Sequence, residues 1–157
     1  MSCFSVRAQI IAQVLLCSWY GERGVFGGGT GPTNTIEYIT ILTLGNTLDF
    51  GDLSLARFSV GSCLGGGRGI FLGSGNGTNG NTIDYITIAT TGNATDFGDT
   101  NQLKYYSTAM SNNIRGVVTG ALIYNNIDYV TITTTGNASD FGTFLTSRSY
   151  STACSGN

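Results

Sequence analysis

Carboxylates three residues apart are the first places where this sequence could do chemistry: Asp49 with Asp52, and Asp96 with Asp99. Two facing acids are what hydrolysis of a glycosidic bond needs, one to protonate the leaving oxygen and one to attack or to activate water. The same pairing could contribute oxygens to a Ca²⁺ site. In the third occurrence Asp140 is followed by Thr143 where the second acid would stand. An acid pair that one copy lacks, written beside a glycine each time, reads as turn chemistry in preference to catalysis.

Other reactive groups are excluded by composition. The chain contains no His, which removes Ser-His-Asp and Cys-His nucleophile arrangements. Four cysteines are present, without a C-x-x-C pair, so zinc is not expected. Cys63 lies six residues after Arg57 and Cys154 six after Arg148, while the same step from Lys104 reaches Met110. Cys17 stands before Arg23 much as Cys63 stands before Arg68. A position that accepts Cys or Met is a small buried hydrophobe. Free thiols favour an intracellular or virion setting over a secreted one. The runs Gly27-Gly28-Gly29 and Gly65-Gly66-Gly67 are followed by no helix bearing Lys-Ser or Lys-Thr, so they are a weak signal for a phosphate cradle. Asn76-Gly77-Thr78, Asn93-Ala94-Thr95 and Asn137-Ala138-Ser139 match the glycosylation sequon, as an Asn- and Thr-rich chain does by chance. No metal and no cofactor is expected.

The elements that hold these groups come from a stretch written three times: NTIEYITILTLGNTLDFGD from Asn34, NTIDYITIATTGNATDFGD from Asn81 and NNIDYVTITTTGNASDFGT from Asn125. Tyr38, Tyr85 and Tyr129 fall in register, 47 and then 44 residues apart. A period of this size marks a propeller, a solenoid or an array. Each unit reads as four short strands. An opening strand (Ile10 to Trp19, Leu55 to Cys63, Leu103 to Met110 and, after the last unit, Leu145 to Cys154) precedes an Arg-Gly strand beginning at Arg23, Arg68 or Arg115. A Gly-, Asn- and Thr-rich turn leads to the third strand, Thr35 to Leu42, Thr82 to Ala89 or Asn126 to Thr133. Gly45-Asn46, Gly92-Asn93 and Gly136-Asn137 mark a tight turn, and the fourth strand carries Asp-Phe-Gly. Along Ile83-Asp84-Tyr85-Ile86-Thr87-Ile88 both faces hold large apolar groups, as in a sheet covered on both sides.

Six of the seven basic residues and eight of the nine acids stand at repeat-equivalent positions. A catalytic charge is needed once; charges recurring in every unit tie strands or turns together. What differs between units is the turn between the second and third strands. Phe26 to Ile36 is ten residues, Phe71 to Ile83 twelve and Val118 to Ile127 nine. Loops on a rigid scaffold are where recognition sits, so Thr30, Asn76, Thr78, Asn79 and Tyr124 are the candidate ligand contacts, against the alternative that these turns are tolerant surface.

The 157 residues carry 10% charged residues, 24 Gly and one Pro, an all-β composition with many turns. A net charge of −2 provides no basic footprint for nucleic acid, and no Lys- or Arg-rich run faces a membrane. The apolar run Ala8 to Cys17 after Arg7 is too short to span a bilayer. With Leu16, not a small residue, before Cys17, it reads as a first strand and not a signal peptide. Residues 1–22 are expected to form an N-terminal cap with the first inner strand, and residues 23–157 three repeats with a terminal strand.

A Gly-rich pair after an apolar strand, an aliphatic-acid-aromatic strand, a lone aromatic and then a basic residue resembles the kelch repeat. The residues are Gly27-Gly28, Ile36-Glu37-Tyr38, Phe50 and Arg57, then Gly73, Ile83-Asp84-Tyr85, Phe97 and Lys104, then Gly120, Ile127-Asp128-Tyr129, Phe141 and Arg148. Phe stands where kelch units usually carry Trp. TTGNATDFGD is also similar to repeats in virion and tail-associated proteins of tailed phages. The resemblance implies a β-propeller-type all-β fold of about three four-stranded blades plus one extra strand, an incomplete ring or one closed by oligomerisation. Without His, the copper ligands of the galactose oxidase type are missing. The expected function is a non-enzymatic structural or adhesive module recognising a glycan or protein surface. Its expected partners are copies of itself or other virion proteins, with no nucleic acid and no membrane. The alternative is a glycan-active hydrolase or lyase using turn carboxylates.

Overall fold

The computed structural model describes residues 21–29, 31–75, 80–120, 124–148 and 150–156. Among these the chain is all-β, with eleven strands in three antiparallel sheets and no helix. The first sheet has the order β1 (Arg23–Gly27), β2 (Thr33–Thr40), β3 (Leu48–Arg57). The second is β4 (Gly61–Gly65), β5 (Arg68–Leu72), β6 (Thr82–Thr87), β7 (Thr95–Asp99), and the third β8 (Thr108–Ser111), β9 (Arg115–Thr119), β10 (Asn126–Thr131), β11 (Ser139–Thr143). Each repeat therefore makes its own sheet, and among the described residues no ladder joins one sheet to the next. The expected strand Ile10 to Trp19, and with it most of the 1–22 cap, lies outside the described residues.

The Asp-Phe-Gly motif is a β-bulge. Ile83 pairs with Gly98 and Asp84 with Asp96, so Phe97 is the extra residue; Ile36/Glu37 and Ile127/Asp128 show the same shift against Phe50 and Phe141. The bulge lets an additional side chain point inward: Phe50 and Phe97 are 2% and 3% exposed. Each then meets its own sheet's tyrosine edge-on, Tyr38–Phe50 at 5.9 Å, Tyr85–Phe97 at 6.0 Å and Tyr129–Phe141 at 6.1 Å between ring centroids. The guanidinium of Arg23, Arg68 or Arg115 lies over that tyrosine ring, 4.7, 4.5 and 4.7 Å from its centroid. Asp49, Asp52, Asp96 and Asp99 are thereby placed on strands β3 and β7, in line with a fourth strand carrying Asp-Phe-Gly and against the turn role that the neighbouring glycine suggested.

The core lies between sheets. One cluster joins Ile36, Phe50 and Leu53 of the first unit to Phe71 and Ile86 of the second. The other joins Ile70, Leu72, Ile83 and Phe97 of the second unit to Val118, Val130, Ile132 and Ala138 of the third. β6 is buried on both faces, with Ile83 and Asp84 both fully inaccessible, as its double apolar pattern required.

The opening strands are shorter than expected. Ser59, Tyr106 and Tyr150 occupy one repeat position and take φ of 52°, 49° and 55°. This left-handed kink ends the run from Leu55 and from Leu103, and pairing resumes at Gly61 and Thr108. No strand forms among the described residues between 144 and 156. β4 and β8 pair with the Arg-Gly strands that follow them.

Candidate functional site

The left-handed kinks put the variable turns of the first and second units side by side. Gly75 donates its N–H to the Phe58 carbonyl at 2.6 Å, and a Cβ on Gly75 would stand 2.2 Å from the Phe58 ring. Only glycine lets the second turn lie flat on that ring. Gly29 donates to the Arg57 carbonyl at 3.3 Å, fixing the first turn to the same segment. Beside the first turn lies an open cleft of about 580 Å³ lined by Gly29, Gly31, Pro32, Phe58 and Ser59. The third turn repeats the arrangement one unit on, where Gly120 packs onto the backbone of Tyr105, Tyr106 and Ser107.

The segment beneath the turns is aromatic. Phe58 and Tyr105 are repeat equivalents and both half-buried. Tyr106 stacks on Tyr150 at 4.1 Å and 27° between ring planes, and its hydroxyl raises the Tyr150 phenol above its ordinary range by hydrogen bonding. Tyr150 and Tyr124 are 70% and 40% exposed. Flat, partly wetted aromatic rings beside hydroxyl- and amide-bearing turns can stack on a sugar face or on a peptide while the turns supply hydrogen bonds. Tyr124, the one sequence candidate among the described residues, is exposed at the end of its turn. Thr30, Asn76, Thr78 and Asn79 lie outside the described residues. Phe58, Tyr105 and Tyr106 fall within the apolar pattern of the opening strands, and the one signal that sets Phe58 and Tyr105 apart is an aromatic residue directly after Arg57 and Lys104.

The carboxylates are not gathered here. The cleft lining carries no acid. Asp49, Asp96 and Asp140 are exposed on the outer strands, and the Asp140 carboxylate accepts the Gly142 N–H at 3.2 Å. Among the described residues no three acidic or thiol groups come together as metal ligands. Cys63 is free and packs against the second core cluster, where burial pushes its thiol up to about 12, as the small-hydrophobe reading requires; Cys154 is free but exposed.

The recurring charges do something else. Asp84 is fully buried and accepts from three groups of the preceding unit: Arg57 Nη2 at 2.5 Å, Ser54 Oγ at 2.7 Å and Ser54 N–H at 3.0 Å. Asp128 repeats this with Lys104 Nζ, Asn101 N–H and Asn101 Nδ2, each at 3.1 Å. The acid of each third strand is therefore a latch for the unit before it, a pairing signalled only by the fixed phase of opposite charges. Burial lowers the Arg57 and Lys104 pKa values, and the facing carboxylates pull them partly back.

Comparison with protein-family models and with curated proteins returns no match to this chain.

Proposed function

We propose that this protein is a non-enzymatic structural or adhesive binding module of the tailed-phage virion type, built as three blades of a β-propeller-type arrangement. It recognises a glycan or protein surface through the turns at residues 28–32, 73–81 and 120–125, and works with copies of itself or with other virion proteins. The observation that carries this reading is the packing of turn glycines on equivalent aromatic-bearing segments, Gly29 and Gly75 on Arg57–Phe58 and Gly120 on Tyr105–Ser107. The strands repeat almost without change while the turns differ in length and side chains, which is how a rigid scaffold is given different binding specificities. The similarity to kelch and phage-tail repeats points the same way.

A glycan array probed with the intact chain tests it. Binding is expected, and is expected to fall at least about tenfold on Tyr124→Ala or on joint substitution of Asn76 and Asn79 by Ala, with the fold unchanged by circular dichroism. Absence of binding to glycans and to host-surface proteins would leave an architectural role. The hydrolase or lyase reading keeps one specific support, the recurrence of Asp96 with Asp99 and of Asp49 with Asp52. Glycan cleavage abolished by Asp96→Asn in a folded chain would establish it.

A further inference from the structure

The contacts between the first and second units recur between the second and third, group for group. Arg23 Nη1 donates to the Ile88 carbonyl and Arg68 Nη1 to the Ile132 carbonyl, both at 3.0 Å. Gly92 and Ala94 donate to the carbonyls of Phe50 and Asp52, each at 2.7 Å; Gly136 and Ala138 donate to those of Phe97 and Asp99, each at 2.8 Å. The Asn93 side-chain carbonyl accepts the Asp52 N–H at 3.1 Å and that of Asn137 accepts the Asp99 N–H at 3.0 Å. Arg57 with Asp84 and Lys104 with Asp128 close the list. The junction is one interface made twice within a chain.

Each end of the array carries one half of that interface uncovered. At the leading end, Glu37 holds the position of Asp84 and Asp128 but is exposed, as are Gly45, Asn46 and Thr47, the equivalents of Gly92, Asn93 and Ala94. At the trailing end, Arg148 holds the position of Arg57 and Lys104 and is exposed, and so is Arg115, the equivalent of Arg23 and Arg68. Phe141 is 53% exposed where Phe50 and Phe97 are buried. A Cβ on Gly98 would stand 2.6 Å from Gly136 of the next unit, whereas around Gly142 there is open space. Bare apolar groups accompany both halves: Ile41, Leu44 and Leu48 lead, the two leucines at positions where later units have Thr or Ser, and Leu145 trails.

We infer that the trailing face of one copy docks on the leading face of a second copy and rebuilds the internal junction between chains, with Arg148 against Glu37, Arg115 against the Ile41 carbonyl, and Gly142 against Gly45-Asn46. The acid and base sit on opposite faces, so the contact is head-to-tail, and repeated addition gives a ring or a filament according to the turn per unit. Leu145 stands where Ser54 and Asn101 stand; its backbone N–H replaces theirs on the carboxylate while its side chain adds apolar contact. This inference rests on the reading of the chain as an assembling module and is independent of what the turns bind.

Sedimentation and light scattering of the full chain over a concentration series test it. The native chain is expected above its monomer mass of 16.4 kDa. Glu37→Arg and Arg148→Glu, both exposed sites, should each weaken association at least about tenfold. Mixing the two single variants should restore association, since the native Arg148 of one meets the native Glu37 of the other and the two reversed charges complement each other in the same way. The double variant should reassemble. Gly142→Ala, which fills the space a neighbouring backbone would occupy, should also block assembly. A native chain that stays monomeric at every concentration overturns the inference and means that something other than a second copy, residues 1–20 included, meets that face. Assembly that survives both single reversals, or a mixture that stays monomeric, overturns it as well. Glycan-array binding measured on the same variants separates this outcome from failure of the binding reading.

Discussion

Asp84 is an anion at zero exposure, and a carboxylate there is tolerable only because Arg57 and Ser54 arrive from the preceding unit to satisfy it. Arg57 also donates to the Gly73 and Thr82 carbonyls, at 3.2 and 2.7 Å, so it fixes the end of β5 and the start of β6 together. Such a buried pair adds little net stability over apolar residues, but breaking it strands a charge. Arg57→Ala should therefore cost about 3–5 kcal/mol in urea unfolding, whereas Arg148→Ala at the exposed equivalent site should change monomer stability by less than about 0.5 kcal/mol. Cys63 gives a pH signature. Its folded-state thiol titrates at about 12 against an ordinary value of 9.0. Below pH 9 both states hold the proton and stability is unaffected. Between 9 and 12 only the unfolded chain ionises, so stability falls as pH rises, by on the order of 1 kcal/mol at pH 10. Unfolding curves at pH 8 and pH 10 should show this loss, and Cys63→Val should reduce it. The small-hydrophobe role of Cys63 was legible from Met110 at the same repeat position. The partners of Asp84 and Asp128 were not, because repeat phase does not tell whether equivalent charges meet within a unit or across to the next.

At the scale of the element, the bulged outer strand decides how closely units approach. Gly98 has φ of +140°, and a Cβ there would stand 2.6 Å from the Gly136 carbonyl group. Gly142 shares the conformation, with φ of +141°, but has open space. Gly142→Ala thus isolates the backbone strain, roughly 1–3 kcal/mol. Gly98→Ala adds to that the separation of two packed backbones, a further cost of about 1–3 kcal/mol. Thermal unfolding of the two variants, at concentrations where the chain is monomeric, should show the larger loss for Gly98→Ala; equal losses would mean that the junction yields freely. Four-strand units, the Arg-Gly strand and the third strand could all be read from spacing. The bulge could not, since Asp-Phe-Gly has the composition of a turn and only pairing against Ile83 and Asp84 reveals the extra residue. The opening strands were overextended for a related reason: the apolar pattern from Leu55 and Leu103 continues through Phe58 and Tyr105, while the chain turns left-handed at Ser59 and Tyr106.

For the whole molecule, the position of a unit in the array governs what a residue contributes. Among the described residues no sheet owns a core; each apolar cluster is shared by two sheets, so a side chain counts in proportion to the neighbour that covers it. Sequence repetition suggests that Phe50, Phe97 and Phe141 are interchangeable, yet the first two are at most 3% exposed and the third is 53% exposed. Phe97→Ala removes a ring from the cluster that joins the second and third sheets and should cost about 3–5 kcal/mol. Because that cluster bridges both sheets, the loss should appear as one cooperative transition at lower urea with the slope unchanged, without separate melting of a unit. Phe141→Ala removes a ring that touches Tyr129 edge-on and otherwise faces solvent, so its cost in the monomer should stay below about 1.5 kcal/mol, the worth of such an aromatic pair. Urea titrations of both variants at low chain concentration would decide the matter. If they lose the same stability, burial against a neighbouring unit is not what holds these sheets together.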